Sequence, residues 1–241
     1  MHTIQSNLKI IQDRIQSACR RSGRSPEEVQ LLLATKTVTA ERIRPLIDKG
    51  YTLLGENKIQ EAVQKNKVLK DKNLQWHIIG HLQTNKVKFI TPFVDVVQSI
   101  DRIRLAQKLQ NRMEFDQRER IDVFIQVNTS YEKSKFGVAP EQALDLIKQV
   151  SELPRLHIKG LMTIGILSSK DDKVRDCFKL LKEVQYQARN LQLENASFDQ
   201  LSMGMSNDLE LAIEEGSTLI RVGTGIFGKR PYPDSYYWNE D

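Results

Sequence analysis

Lys36 follows the apolar run Leu31-Leu32-Leu33-Ala34 and stands between Thr35 and Thr37. An amine at the mouth of such a run is partly desolvated. Desolvation lowers its pKa, and a neutral amine attacks a carbonyl carbon to form a Schiff base. Taken alone, this feature fits equally a lysine that closes a strand and points into water. Two glycine-bearing stretches add weight to the chemical reading: Ser202-Met203-Gly204-Met205-Ser206 and Gly223-Thr224-Gly225. Each combines backbone N–H groups left uncovered by glycine with hydroxyls, and the first precedes a helical stretch. Those are the makings of a phosphate cradle. Arg221, two residues before Gly223, stays protonated and could face a ring nitrogen that must remain unprotonated. An ion pair with a strand neighbour is its commoner fate. Together these residues suit a phosphorylated aldehyde cofactor held by a lysine. They suit equally a phosphorylated-sugar aldolase or isomerase, and residue types alone do not separate the two.

Other chemistries find less support. His77 and His81 are four apart on a strand-then-loop segment, which puts their Cα atoms about 13 Å apart, too far to share a metal. There is no H-E-x-x-H helix, and no G-x-S-x-G elbow for a serine hydrolase. Cys19 and Cys177 fall inside helical stretches and read as inert packing residues. No metal site is expected.

The elements that must position these residues follow from periodicity. Ile4, Leu8, Ile11, Ile15 and Ala18 recur every three or four residues, a leading helix within residues 1–23. Eight strand candidates follow: Val29 to Thr35, Tyr51 to Leu54, Leu74 to Ile79, Val94 to Ile100, Ile121 to Val127, Ile158 to Ile164, Phe198 to Met203 and Thr218 to Val222. Helical patterns lie between most of them, one of them a polar helix running to about Lys72. Asp101 reads as an N-cap and Pro140 as a first-turn residue. Alternating strands and helices argue for a parallel sheet, and eight units for a closed α/β (β/α)8 TIM barrel with an extra N-terminal helix, residues 1–241 as a single domain. A doubly wound open sheet is the runner-up, weakened by the lack of a G-x-G-x-x-G after the first strand. In a barrel the chemistry sits at the strands' C-terminal ends, and phosphate sites favour the loops after strands seven and eight. Those are the places of Lys36, Asn57, His81, Ser99, Asn128, Thr163 and the two glycine-bearing stretches.

The chain has 241 residues, with 36 Lys and Arg against 31 Asp and Glu, so 36 − 31 = +5. The positive charges are scattered among acids and read as solvated helix faces, not as a nucleic-acid surface. No apolar run is long enough for a transmembrane helix or a signal peptide. Two cysteines make no disulfide scaffold, so a reducing, cytoplasmic setting is expected. Residues 231–241, acidic and aromatic from Pro233, read as a tail or docking segment.

The order of several segments resembles the pyridoxal phosphate homeostasis protein family. They are Ala34-Thr35-Lys36-Thr37, Gly55 to Glu61, Trp76 to Lys86, Val127-Asn128, Lys135-Phe136-Gly137, Gly160 to Ile164, Leu201 to Asp208, Gly216-Ser217-Thr218, Arg221-Val222-Gly223 and Ile226-Phe227-Gly228. The resemblance covers nearly the whole chain. It implies a barrel akin to the N-terminal domain of alanine racemase and pyridoxal 5'-phosphate held covalently on Lys36. It implies that Ser206, Gly223 and Thr224 hold the phosphate, that Arg221 faces the pyridine nitrogen, and that Asn57, His77, Ser202 and Met203 line the site. It further implies vitamin B6 and amino-acid homeostasis, no dedicated catalytic residue, and the cofactor, apo-enzymes or a regulatory protein as partners; charge scatter and short apolar runs add the expectation of no nucleic acid and no membrane. The alternative is a pyridoxal phosphate-dependent amino-acid racemase. That reaction needs a second acid/base facing Lys36. In alanine racemase it is a partner subunit's tyrosine, associated with a second domain for which 241 residues leave no length; neither Tyr51 nor Tyr131 is evidently placed to replace it. A lone barrel is accordingly expected to be a monomer. Gly165 departs from the family, where proline is frequent after the strand-six segment.

Overall fold

Apolar runs of four to seven residues, punctuated by glycine and polar turns, become eight parallel strands. The computed structural model describes residues 3–69 and 73–229. The strands are β1 (Gln30–Ala34), β2 (Leu53–Glu56), β3 (Gln75–Ile78), β4 (Val96–Ile100), β5 (Ile121–Gln126), β6 (Leu156–Met162), β7 (Ala196–Ser202) and β8 (Leu219–Val222). Each pairs with the next, and β8 returns to pair with β1, so the sheet is a closed barrel. The closing register sets Leu32 beside Arg221 and Leu33 beside Val222.

Nine helices are described: α1 (Ile4–Arg21), α2 (Ala40–Ile47), α3 (Ile59–Leu69), α4 (Val87–Ile90), α5 (Ile103–Phe115), α6 (Pro140–Ser151), α7 (Asp171–Arg189), α8 (Leu209–Glu214) and α9 (Thr224–Phe227). Strand side chains alternate between two packing environments. Leu33, Leu54, Ile78, Val97, Val123 and Ile125 face outward into the large apolar cluster shared with the helices. Leu32, Val96, Phe124, Met162 and Leu219 form a separate cluster within the barrel.

The expected (β/α)8 barrel with its leading helix is the observed fold. The details shift. Asp101 does not cap α5: the N-cap is Arg102, in extended backbone, and the Asp101 carboxylate pairs with its guanidinium. Pro140 does open α6. α4 and α9, four residues each, are too short to leave a periodic trace. The end of the polar helix at Lys72 and the tail at 231–241 lie outside the described residues. Among those residues no helix is long and apolar enough to cross a membrane.

α1 is more than an appendage. Thr3 caps it, its Oγ1 accepting the Ser6 N–H at 3.2 Å. Leu8, Ile11 and Ile15 bury its apolar stripe. Its polar residues then reach the loops of the last two units. Asn7 Nδ2 donates to the Ile226 carbonyl at 3.0 Å, and Arg14 donates to the Ser206 carbonyl at 2.9 Å and to Glu210 at 2.5 Å.

Phe124 is fully buried inside the barrel. Phe124→Ala should cost about 3–5 kcal/mol, read as a lower denaturant midpoint at unchanged m-value.

Candidate functional site

At the C-terminal ends of the strands, Lys36 lines a cleft with Thr37, Arg42, Gly223, Thr224 and Phe227. Barrel closure makes this neighbourhood, because the ends of β1 and β8 are adjacent although most of the chain separates them. Gly223 is there for closeness. A Cβ on it would stand 2.9 Å from the Ala34 carbonyl oxygen, so any side chain would push the β8 loop off β1.

Ser206 joins the same edge from the β7–α8 loop. Its Oγ accepts the Gly225 N–H at 3.0 Å and lies 3.2 Å from Thr224 Oγ1. The Arg14 bond to the Ser206 carbonyl ties this loop to α1. Hydroxyls and N–H groups from both loops thus converge beside Lys36. α8 and α9 have only six and four residues, so what this edge offers an anion is local donors more than a long helix dipole.

Behind the cleft Arg221 is buried, with only 4% of its surface exposed. Its guanidinium does not pair with a carboxylate on a neighbouring strand. It donates to Ser202 Oγ at 2.7 Å and to the Thr163 carbonyl at 2.8 Å. Burial pushes its pKa down to about 10, against the pull of Asp208, so it stays protonated at neutral pH.

From Arg221 a chain of hydrogen bonds crosses the barrel. Ser202 Oγ lies 2.6 Å from Gln98 Oε1, and Gln98 Nε2 lies 2.8 Å from His77 Nδ1. Arginine has donors only, so Ser202 Oγ must accept from it and send its own proton to Gln98 Oε1. The Gln98 amide nitrogen then donates to His77 Nδ1, which is therefore unprotonated. The imidazole proton is on Nε2, an atom that is buried without a partner. Burial, aided by Lys159 and opposed by Asp122, pushes the His77 pKa down to about 3.

The structure thus brings Lys36, Gly223 and Thr224 to one cleft, ties Ser206 to its edge through Thr224 and Gly225, and joins Ser202, Arg221 and His77 in one buried hydrogen-bonded chain. Asn57 follows β2 at the same end; its backbone packs so closely on Gly80 that a Cβ there would be 2.7 Å from the Asn57 Cα. Met203 lies elsewhere. It is fully buried in the apolar cluster between strands and helices, because alternation along β7 turns Ser202 inward and Met203 outward. On β4 the inward residue is Gln98; Ser99, the expected contributor, is buried with no hydrogen-bond partner. Tyr51 bonds to Gln12 of α1, and the exposed Tyr131 donates to Glu141 at 2.6 Å; neither lines the Lys36 cleft. Both cysteines are buried, which raises their thiol pKa values. His81 stacks on Phe136, ring centres 3.9 Å apart. Among the described residues no three His, Cys, Asp or Glu are grouped to hold a metal.

This barrel defines the class first. The alanine racemase N-terminal domain family matches residues 5–231. An alanine racemase from Clostridium difficile 630 superposes with a TM-score of 0.74 at 12% identity, covering 96% of this chain and 58% of the racemase, which shows the shared fold. Nearer relatives narrow the assignment. The pyridoxal phosphate homeostasis protein of Aquifex aeolicus is 44% identical over 226 residues, 93% of this chain and 97% of that one. PipY of Synechococcus elongatus PCC7942, solved with PLP bound, is 33% identical with a TM-score of 0.74, covering 90% of this chain and all of PipY. The chain belongs to the pyridoxal phosphate homeostasis protein family.

The buried imidazole has a measurable consequence. Folded His77 takes up a proton only near pH 3, whereas the unfolded side chain does so near 6.5. Between those values the unfolded chain binds more protons, so this group's contribution is complete above about pH 6.5 and is lost as pH falls toward 3. His77→Gln keeps an acceptor for Gln98 and removes the titration. Chemical denaturation at pH 7 and pH 5 should show wild type losing ~2 kcal/mol more than His77→Gln over that interval. Equal losses would show that His77 is not held neutral.

Proposed function

We propose that this chain holds pyridoxal 5'-phosphate reversibly as a Schiff base on Lys36, keeps the free aldehyde low and releases the cofactor to apo-enzymes. The observation that carries the reading is the meeting of Lys36 with Gly223 and Thr224 in one cleft, with Ser206 tied to the same edge. The fit rests on the donor set. A phosphate needs clustered N–H and O–H groups, which Ser206, Thr224 and the close-packed Gly223 turn supply. The aldehyde needs a primary amine on the same cleft, which is Lys36. The family's name and the cofactor in PipY support the same ligand.

When bound, the cofactor supplies an electrophilic aldehyde carbon. Lys36 would be the amine that holds that carbon, its two hydrogens and the carbonyl oxygen being lost as water. Arg221 is held by Ser202 and Thr163, with guanidinium N–H groups remaining for a ring nitrogen. A protonated arginine donates without giving up its proton, so it would leave that nitrogen unprotonated and weaken the ring as an electron sink. Neither tyrosine considered for a second acid/base lines the cleft. Holding and release, not turnover, is what this set of side chains supports.

Purified protein loaded with pyridoxal 5'-phosphate should show a visible imine absorbance that Lys36→Ala lacks. Lys36→Ala should still bind 4-deoxypyridoxine 5'-phosphate, which has the phosphate and no aldehyde, whereas Gly223→Val should weaken it at least tenfold by closing the cradle. An unchanged imine band in Lys36→Ala would overturn the assignment. Rapid Lys36-dependent exchange of the alanine Cα hydrogen with solvent deuterium would favour a racemase instead.

A further inference from the structure

On the helix side of β1, beneath the strand end that carries Lys36, lies a cluster of charges that cofactor binding leaves unexplained. Glu56, at the end of β2, is completely buried, and Lys65 of α3 is 8% exposed. Lys65 Nζ donates to Glu56 Oε1 at 2.6 Å and to the Thr35 carbonyl at 2.8 Å. Thr35 Oγ1 donates to the same Glu56 oxygen at 2.5 Å. Glu61, one helical turn before Lys65, sets its Oε2 3.4 Å from Lys65 Nζ and accepts the Thr37 N–H at 2.8 Å.

The two neighbours of Lys36 are therefore both fastened to one cluster. Thr35 is held by its hydroxyl and its carbonyl, Thr37 by its N–H. Thr37 also has φ of +65°, a left-handed conformation that strains a β-branched residue and is kept only where its surroundings enforce it. Stability alone is a poor reason for the cluster, since a buried ion pair usually does no better than apolar residues of the same volume. Glu56 Oε2 is moreover buried with no hydrogen-bond partner. What the cluster does distinctively is set the backbone on either side of one lysine.

We propose that Glu56, Lys65 and Glu61 form a positioning device for Lys36, with Glu61 fixing the left-handed turn at Thr37 that directs the amine over the cleft. This rests on the reading of Lys36 as the lysine that binds the aldehyde.

The test uses the full chain with two probes, pyridoxal 5'-phosphate for the covalent link and 4-deoxypyridoxine 5'-phosphate for the cradle alone. The Glu61 side chain is 27% exposed, so its variants should fold even if Lys65→Met does not. Glu61→Ala should raise the pyridoxal phosphate concentration that half-saturates the imine band about tenfold, the scale of one lost charge-assisted hydrogen bond. The analogue's affinity should stay within about twofold of wild type, because the phosphate donors are untouched. Glu61→Gln, which keeps an oxygen for the Thr37 N–H, should recover most of the loss. An unchanged imine band in Glu61→Ala would overturn the proposal and leave the Lys36 assignment standing. Parallel loss of both probes with a fall in Tm would overturn it as well, by showing a merely structural role. If wild type forms no imine, or Lys36→Ala retains it, the Lys36 assignment fails and the proposal with it.

Discussion

The pairing of β8 with β1 is the constraint on which the rest of the molecule depends. Until the sheet closes, Lys36 and Gly223 are separated by most of the chain and have nothing in common. Once Leu32 stands beside Arg221 and Leu33 beside Val222, the two strand ends share one edge and the Ala34 carbonyl comes against Gly223. Closure also fixes what the interior must hold. Eight strands leave room for packed side chains and no open channel, and the interior holds an apolar cluster around Phe124 and a polar chain from Arg221 to His77. α1 then secures the closing end from outside through Asn7 and Arg14, which gives a helix outside the repeating units a reason to be there.

The polar layer follows from one residue. Arg221 brings a cation into the barrel, and a buried cation must find acceptors. Ser202 and the Thr163 carbonyl supply them. Because arginine only donates, each later member is forced into one orientation as far as His77. A single donor at one end thereby sets the tautomer of an imidazole with two side chains between them. The cluster around Lys65 is built differently, from opposed charges on the helix side of the wall, and it grips backbone. On this account the barrel has two polar supports, one behind the guanidinium and one beneath the lysine.

Much of this was legible in the sequence. Alternating apolar runs and helical periods pointed to the barrel, and Lys36 with the two glycine-bearing loops pointed to the cleft. What failed to show was phase and depth. β4 is buried on both faces, Val96 to Ile100 without exception, so no polar alternation tells Gln98 from Ser99. One step of phase likewise moves Met203 from the interior to the helix side. Depth is harder still. Lys65 sits in a helix that reads as polar, and nothing in its spacing separates a buried lysine from solvated ones; only the packing of α3 against β2 places it next to Glu56. The short α4 and α9 lie below the length at which periodicity can be read.

The proposed holder of the aldehyde is Lys36 and no other lysine. Borohydride reduction of the protein loaded with one equivalent of pyridoxal 5'-phosphate, followed by peptide mass mapping, tests it most directly. The expected product is a reduced pyridoxyl group on Lys36 alone. A label on a different lysine, or intact protein with no label, would contradict it.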